Sequence, residues 1–194
     1  MDIEYLLILQ KFREGSGSIL APFLSWMSKF AVGFWPLAMM CMLYWVLDRK
    51  GGKRILAGFG MGVLANGFLK LVCCVYRPWI RDSRIEPYGD SKVAATGYSF
   101  PSGHSTFATG VFGGIGMWMQ RHKKYLISGI LIAAMVLTLF SRNFLGVHTP
   151  QDVVVGFAFE TEIDWKDRFI VGVFALIPLY IWFTVCYPFV MNNI

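Results

Sequence analysis

Charge is what this sequence has least of. Only 15% of its 194 residues are Asp, Glu, Lys or Arg, against about 25% in an average soluble domain. That shortage excludes a water-facing globule, and the 56% hydrophobic content excludes a disordered chain. Cysteine is scarce as well. Cys41, Cys73, Cys74 and Cys186 all lie inside apolar runs and have no zinc-type spacing, so they read as small buried apolar residues, with neither a disulfide framework nor a zinc site. Carboxylates number only 12, and they do not form the cluster that a magnesium site needs. A signal peptide is not expected either. Asp2 and Glu4 stand where a positive start would be, so membrane insertion is expected to rest on internal spans.

What the chain does have is apolar length. Its mean hydropathy is +0.53, and seven Trp, eight Tyr and 17 Phe add to the excess. An integral membrane protein fits this composition. Residues 1–13 mix Ile3, Leu6, Leu7 and Phe12 with charges, the pattern of an amphipathic helix lying in the interface. Residues 19–32 are apolar but interrupted by Pro22, Ser25 and Lys29, so they read as interfacial or as the start of a span. Apolar runs predict spans over 30–47, 55–76, 105–120, 125–140 and 169–191. A polar turn at 48–54, a long polar loop at 77–103 and a short loop at 141–149 separate them. The run 150–159 is about 15 Å of helix, half of the roughly 30 Å hydrocarbon core. The expected architecture is all-α: an integral membrane bundle of about five to six transmembrane or membrane-associated helices. It forms one domain over 1–194, with an interfacial segment 1–29 and a helical core 30–191.

The net charge is +6, but the cations sit between apolar runs and not on one polar face, so no nucleic-acid partner is expected. Arg49, Lys50, Lys53 and Arg54 cluster in one loop, and Arg121, Lys123 and Lys124 in another. The positive-inside rule puts both loops in the cytoplasm. Loops 77–103 and 141–149 then share the extracytoplasmic face of a multi-pass cell-membrane protein.

Three anomalies converge on that face. Lys70 lies within an apolar run, where a charge is costly. Arg77 follows seven residues later, close to two helical turns, so the spacing places both cations on one helical face. Second, Phe100-Pro101-Ser102-Gly103-His104-Ser105 is a tight turn opening into a span, and its unpaired N–H groups suit an anion. His104 stands at the mouth of this turn, positioned to donate a proton. Third, Ser141-Arg142 is followed by His148 and Asp152. Thr149 reads as an N-cap with Pro150 at the first helical position. Asp152 then lies one turn from the His148 ring, able to fix its tautomer and strengthen its other nitrogen as nucleophile or base. Taken singly, each feature has a structural reading: a snorkelling lysine, an ordinary capped helix, a helix-start contact. Taken together, three cations and a helix start suit a phosphate, and two histidines divide attack on phosphorus from protonation of the leaving oxygen.

Lys70 with six residues before Arg77-Pro78, then Pro101-Ser102-Gly103-His104, then Ser141-Arg142 with five residues before His148 and three before Asp152, resembles the three-part signature of the type 2 phosphatidic acid phosphatase superfamily. The resemblance implies that His148 is the nucleophile forming a phosphohistidine, that Asp152 orients it, and that His104 is the general acid. It implies that Lys70, Arg77, Ser102, Gly103 and Arg142 bind the phosphoryl oxygens, with no metal and no cofactor. The implied activity is a membrane lipid phosphatase acting on phosphatidate, phosphatidylglycerophosphate or undecaprenyl pyrophosphate, with membrane lipids as its surroundings. Two alternatives keep parts of this reading: a phosphotransferase that passes the phosphoryl group to an alcohol, and a non-catalytic anion- or lipid-binding membrane protein.

Overall fold

Asp48 decides where the second long helix begins. Its backbone is extended and its Oδ1 accepts the Lys50 N–H at 3.0 Å. A carboxylate at this position satisfies one of the donors that a helix start leaves open. Helix α4 therefore runs Arg49–Cys73, and the polar turn expected at 48–54 is its first turns. Gly51 and Gly52 serve close packing there. A Cβ on Gly51 would fall on Asp48 and Trp118, and one on Gly52 on the Tyr44 backbone.

The computed structural model describes residues 2–15 and 19–158, all within one compact unit, Met1–Glu162. Among the described residues there are helices and no strands. Helix α1 is Asp2–Gly15, α2 is Leu20–Ala31 and α3 is Phe34–Met42, prolonged by a π-helical turn over Leu43–Leu47. After α4 come two short helices in the long loop, α5 (Pro78–Arg81) and α6 (Ser91–Ala94). Helix α7 (Gly103–Ala108) continues through a π-helical turn, Thr109–Gly113, into α8 (Gly114–Arg121). Helix α9 is Tyr125–Phe144 and α10 is Pro150–Ala158. The apolar run 169–191 lies outside the described residues.

Two further boundaries differ from the sequence expectation. The span expected at 30–47 starts at Phe34, because Gly33 is extended and splits α2 from α3 with a 45° bend. Helix α9 carries on past 140 to include Ser141 and Arg142, so the loop expected at 141–149 shrinks. By length and hydropathy, Arg49–Arg81 and Tyr125–Phe144 can each cross a membrane, and the bent α2–α3 pair qualifies when taken together.

The Gly103–Arg121 helix is the middle of the bundle. Ala108, Val111, Phe112 and Ile115 are buried against Met40, Leu43, Ile55, Leu131 and Met135. Small residues let neighbours approach closely here: a Cβ on Gly114 would reach Ile55, and one on Gly116 would reach Ile132. Outward-facing side chains such as Trp45, Leu64, Phe68, Leu71 and Leu126 are exposed, as expected of helices solvated by lipid. Helix α1 lies against the long loop. Asp2 pairs with Arg81 at 3.1 Å, Gln10 bonds the backbone of Arg84 and Glu86, and Arg13 donates to Glu86 O and Phe144 O. This latched face carries the charges that interrupt the apolar pattern of residues 1–13.

Candidate active site

Three chain reversals bring the predicted residues together. The first follows α4. Cys74 takes the left-handed conformation (φ 46°), and its N–H closes on Lys70 O. Arg77 is extended (φ −64°, ψ 149°), as sterics require of the residue before a proline. The shared helical face expected for Lys70 and Arg77 is therefore not how they meet, since the helix stops at Cys73. They meet because both reach one stretch of backbone. Lys70 Nζ donates to Tyr98 O at 2.8 Å, and Arg77 donates to Thr96 O at 2.8 Å and Gly97 O at 3.0 Å.

The second reversal is the Pro-Ser-Gly-His turn. Ser102 is the N-cap of α7, and its Oγ accepts from the Ser105 N–H and hydroxyl at 3.3 and 2.8 Å. The Ser102 N–H donates to Asp152 O at 2.9 Å, which ties this turn to α10. Gly103 is only partly buried, and a Cβ added there would meet nothing nearer than Asn66 Oδ1 at 3.9 Å. His104, also partly buried, lies within electrostatic reach of Arg142, His148, Arg77 and Lys70.

The third reversal explains the five-residue interval between Arg142 and His148. Helix α9 ends at Phe144, and Gly146 turns the chain at φ +73°, a region that favours glycine. The N–H groups of Val147 and His148 then both donate to Arg142 O, at 3.2 and 3.3 Å. Helix α10 opens at Pro150, and Asp152 Oδ2 accepts the Thr149 N–H at 2.9 Å, half of a capping box.

That same oxygen lies 3.3 Å from His148 Nδ1, while His148 Nε2 faces Arg77 Nη1 at 3.0 Å. A guanidinium has donors only. Nε2 must therefore be the acceptor, and the ring proton sits on Nδ1, donated to Asp152. His148 is 2% exposed. Burial pushes its pKa down to about 3 against the opposing pull of Asp152. The ring is held neutral, in one tautomer, with its lone pair on Nε2 accepting from Arg77.

The remaining predicted cation, Arg142, is 4% exposed. Its Nη1 donates to Ser28 Oγ at 2.5 Å, and its Nε is buried with no partner among the described residues. Among the described residues, no group of three or more His, Cys, Asp or Glu could hold a metal ion. The charge of the site is that of Lys70, Arg77 and Arg142 around one carboxylate.

Four polar residues escaped the sequence reading. Ser99 donates to Asp152 Oδ2 at 2.5 Å and is fully buried. Ser28 receives Arg142 from α2. Asn66, one turn before Lys70, donates to Thr106 Oγ1 at 2.9 Å, and Thr106 donates to Gly156 O at 3.1 Å. Ser99 stands three residues before Ser102 and Thr106 two residues after His104, so proximity to the second motif was the available signal. Ser28 and Asn66 carry no local signal, because their partners are distant in sequence.

The model of the PAP2 superfamily matches residues 51–159. Phosphatidylglycerophosphatase B of Bacillus subtilis is 35% identical over 116 residues, which is 55% of this chain and 51% of that protein. Undecaprenyl-diphosphatase of Sulfolobus acidocaldarius is 30% identical over 115 residues, 59% of this chain and 52% of that protein. The chain thus spans about half the length of the curated relatives it matches. The crystal structure of a transmembrane PAP2 type phosphatidylglycerolphosphate phosphatase from Bacillus subtilis superposes with a TM-score of 0.64 at 25% identity, covering 90% of this chain and 84% of that one. The three motifs all fall inside the matched region, and the chain belongs to the PAP2 superfamily.

Proposed function

We propose that the protein is a multi-pass membrane lipid phosphatase that cleaves a phosphomonoester or pyrophosphate lipid at the extracytoplasmic face through a phosphohistidine on His148. One observation carries this reading: the His148 ring is held by Asp152 on one nitrogen while the other faces the Arg77 guanidinium, with Arg142 also within electrostatic reach. The relatives named for phosphatidylglycerophosphate and undecaprenyl diphosphate support the substrate class.

A phosphoryl group enters with its oxygens taken by Lys70, Arg77, Arg142 and the backbone at Ser102–Gly103. The Arg77 Nη1 donor moves from Nε2 to a phosphoryl oxygen, which frees the lone pair. His104 enters this step as the imidazolium, its charge offset by the bound phosphate anion; Nε2 attacks phosphorus in line, the bond to the leaving oxygen breaks, and His104 delivers its added proton to that oxygen and is left neutral. The imidazolium-like ring of the intermediate keeps its Nδ1 proton on Asp152. Water then attacks phosphorus, His104 takes its proton, and the P–N bond breaks to release phosphate and restore His148. The three cations stabilise the charge spread over the equatorial oxygens. They also repel a divalent cation, which fits metal-independent hydrolysis.

The positive stretches 49–54 and 121–124 support a cytoplasmic position for the opposite end and hence an extracytoplasmic site. The test is a phosphate-release panel in detergent over phosphatidate, phosphatidylglycerophosphate, undecaprenyl pyrophosphate and a soluble sugar phosphate, with excess EDTA. Release from at least one lipid, undiminished by EDTA and inhibited by vanadate, is the expected result. Activity that disappears with EDTA and returns with magnesium contradicts the mechanism.

A further inference from the structure

Arg142 is a buried guanidinium whose two described ends differ. Its Nη1 is held by the Ser28 hydroxyl, while its Nε has no partner among the described residues. A buried donor left open calls for an explanation, and an arginine serving structure alone would have both ends satisfied. Ser28 belongs to α2, outside residues 51–159 that match the family and outside the three motifs. It is 2% exposed.

We infer that Ser28 is a positioning residue: it holds Nη1 of Arg142 so that the open Nε edge is presented to the phosphoryl group. This rests on the lipid phosphatase reading and names a further residue of that site. The physical reason is the length of the arginine side chain. Its four torsions carry roughly 2 kcal/mol of rotamer entropy, and donors aimed in advance act without reorganising during the reaction. The acceptor is also the right kind. A guanidinium cannot accept, so the serine oxygen does, and a neutral oxygen orients the cation without cancelling its charge. A carboxylate at position 28 would hold the guanidinium more strongly and neutralise the charge that a phosphate needs. Ser28 also ties α2 to the end of α9 beside the site, so this contact makes the bent α2–α3 segment part of the active-site frame.

The test uses the full chain in detergent, with Ser28→Ala, Ser28→Thr, Arg142→Ala and the Ser28→Ala/Arg142→Ala double variant. Phosphate release from a short-chain phosphatidate gives kcat and KM, and vanadate inhibition reports the affinity for a mimic of the transferring phosphoryl group. Ser28→Ala is expected to lower kcat and weaken vanadate about tenfold, the typical worth of one hydrogen bond to a charged group. Ser28→Thr, which keeps the hydroxyl, should stay within about twofold of the parent on that same scale. In the Arg142→Ala background, Ser28→Ala should add less than about twofold, because its partner is already gone. Unchanged kcat and vanadate inhibition in Ser28→Ala overturns the inference. So does a full tenfold loss that persists without Arg142, or a Ser28→Thr variant as weak as Ser28→Ala. A parent protein that releases no phosphate from any lipid sinks the phosphatase reading and this inference with it, whereas an active parent with an indifferent Ser28 sinks the inference alone.

Discussion

Two aspartates begin helices at opposite ends of the bundle, and they use the same device. Asp48 caps α4 through the Lys50 N–H and ties it to α8 through the Trp118 Nε1–H at 2.8 Å. Asp152 accepts the Thr149 N–H at the start of α10 and ties it to the 96–99 segment through the Ser99 hydroxyl. Each also holds an aromatic ring nitrogen. The ring is where they part. Indole has one N–H and nothing to offer beyond it, whereas imidazole held at Nδ1 exposes a lone pair at Nε2. Asp48 is partly exposed with cationic residues along the first turns of α4, while Asp152 is 2% exposed and has the buried Arg77 within electrostatic reach. A capping carboxylate is structural by default. It becomes chemical when its second partner keeps a lone pair and the surroundings supply charge for an anion.

The largest test of that contrast compares the two rings. His148→Ala should cut phosphate release by about 10⁴-fold or more, the scale at which a nucleophile is lost. Trp118→Ala should leave kcat within about twofold on the same scale and lower only the melting temperature. The carboxylates come next. Asp152→Asn keeps the shape but upsets the tautomer, and kcat should fall by about 10²- to 10⁴-fold. Asp48→Asn should cost on the order of 1 kcal/mol of stability or less, with kcat unaltered; a comparable loss of kcat there would erase the distinction.

Close packing offers a third pair. A Cβ on Gly156 would sit 2.6 Å from Ser102 O, so α10 would be pushed from α7, parting His148 from His104. Gly156→Ala should lower kcat at least about tenfold and cost about 1–3 kcal/mol. Gly52→Ala would meet the Tyr44 backbone, with a similar cost in stability and none in kcat.

The remaining effect is on pH. His148 binds its proton near pH 3 in the native state and near 6.5 when unfolded. The unfolded chain therefore gains a proton that the native chain refuses. Stability should be fully present above pH 6.5 and fall toward pH 3, by up to about 1.4 kcal/mol per unit. His148→Gln should flatten this limb in melting curves between pH 7 and 4.5; an unchanged slope would show that His148 is not held neutral.

These contrasts also mark what could be read in the sequence. The apolar runs located α4, the buried helix after the Pro-Ser-Gly-His turn, and α9, because hydropathy records which stretches avoid water. The three motifs named the cations and histidines that the fold brings together. Local geometry was harder. The spacing of Lys70 and Arg77 suggested one helical face, yet the helix ends at Cys73 and the meeting point is the backbone of Thr96, Gly97 and Tyr98. Gly51 and Gly52 read as a turn, yet they lie in the helix that Asp48 caps, and they are glycines because Trp118 and Tyr44 leave no room for a side chain. Ser28 was invisible because its partner lies 114 residues away, and Ser99, though close to the second motif, meets Asp152 only across 53 residues. A motif reports the groups that chemistry demands; the residues that aim them are chosen by packing, which leaves no local trace.

The most direct measurement of the central claim is to incubate the protein with a ³²P-labelled lipid phosphate, quench in alkali and map the label. A phosphohistidine is stable to alkali and labile to acid. The label should fall on the peptide containing His148, vanish on acid treatment and be absent from His148→Ala. A label that survives acid, maps to another residue or persists in His148→Ala would contradict the account.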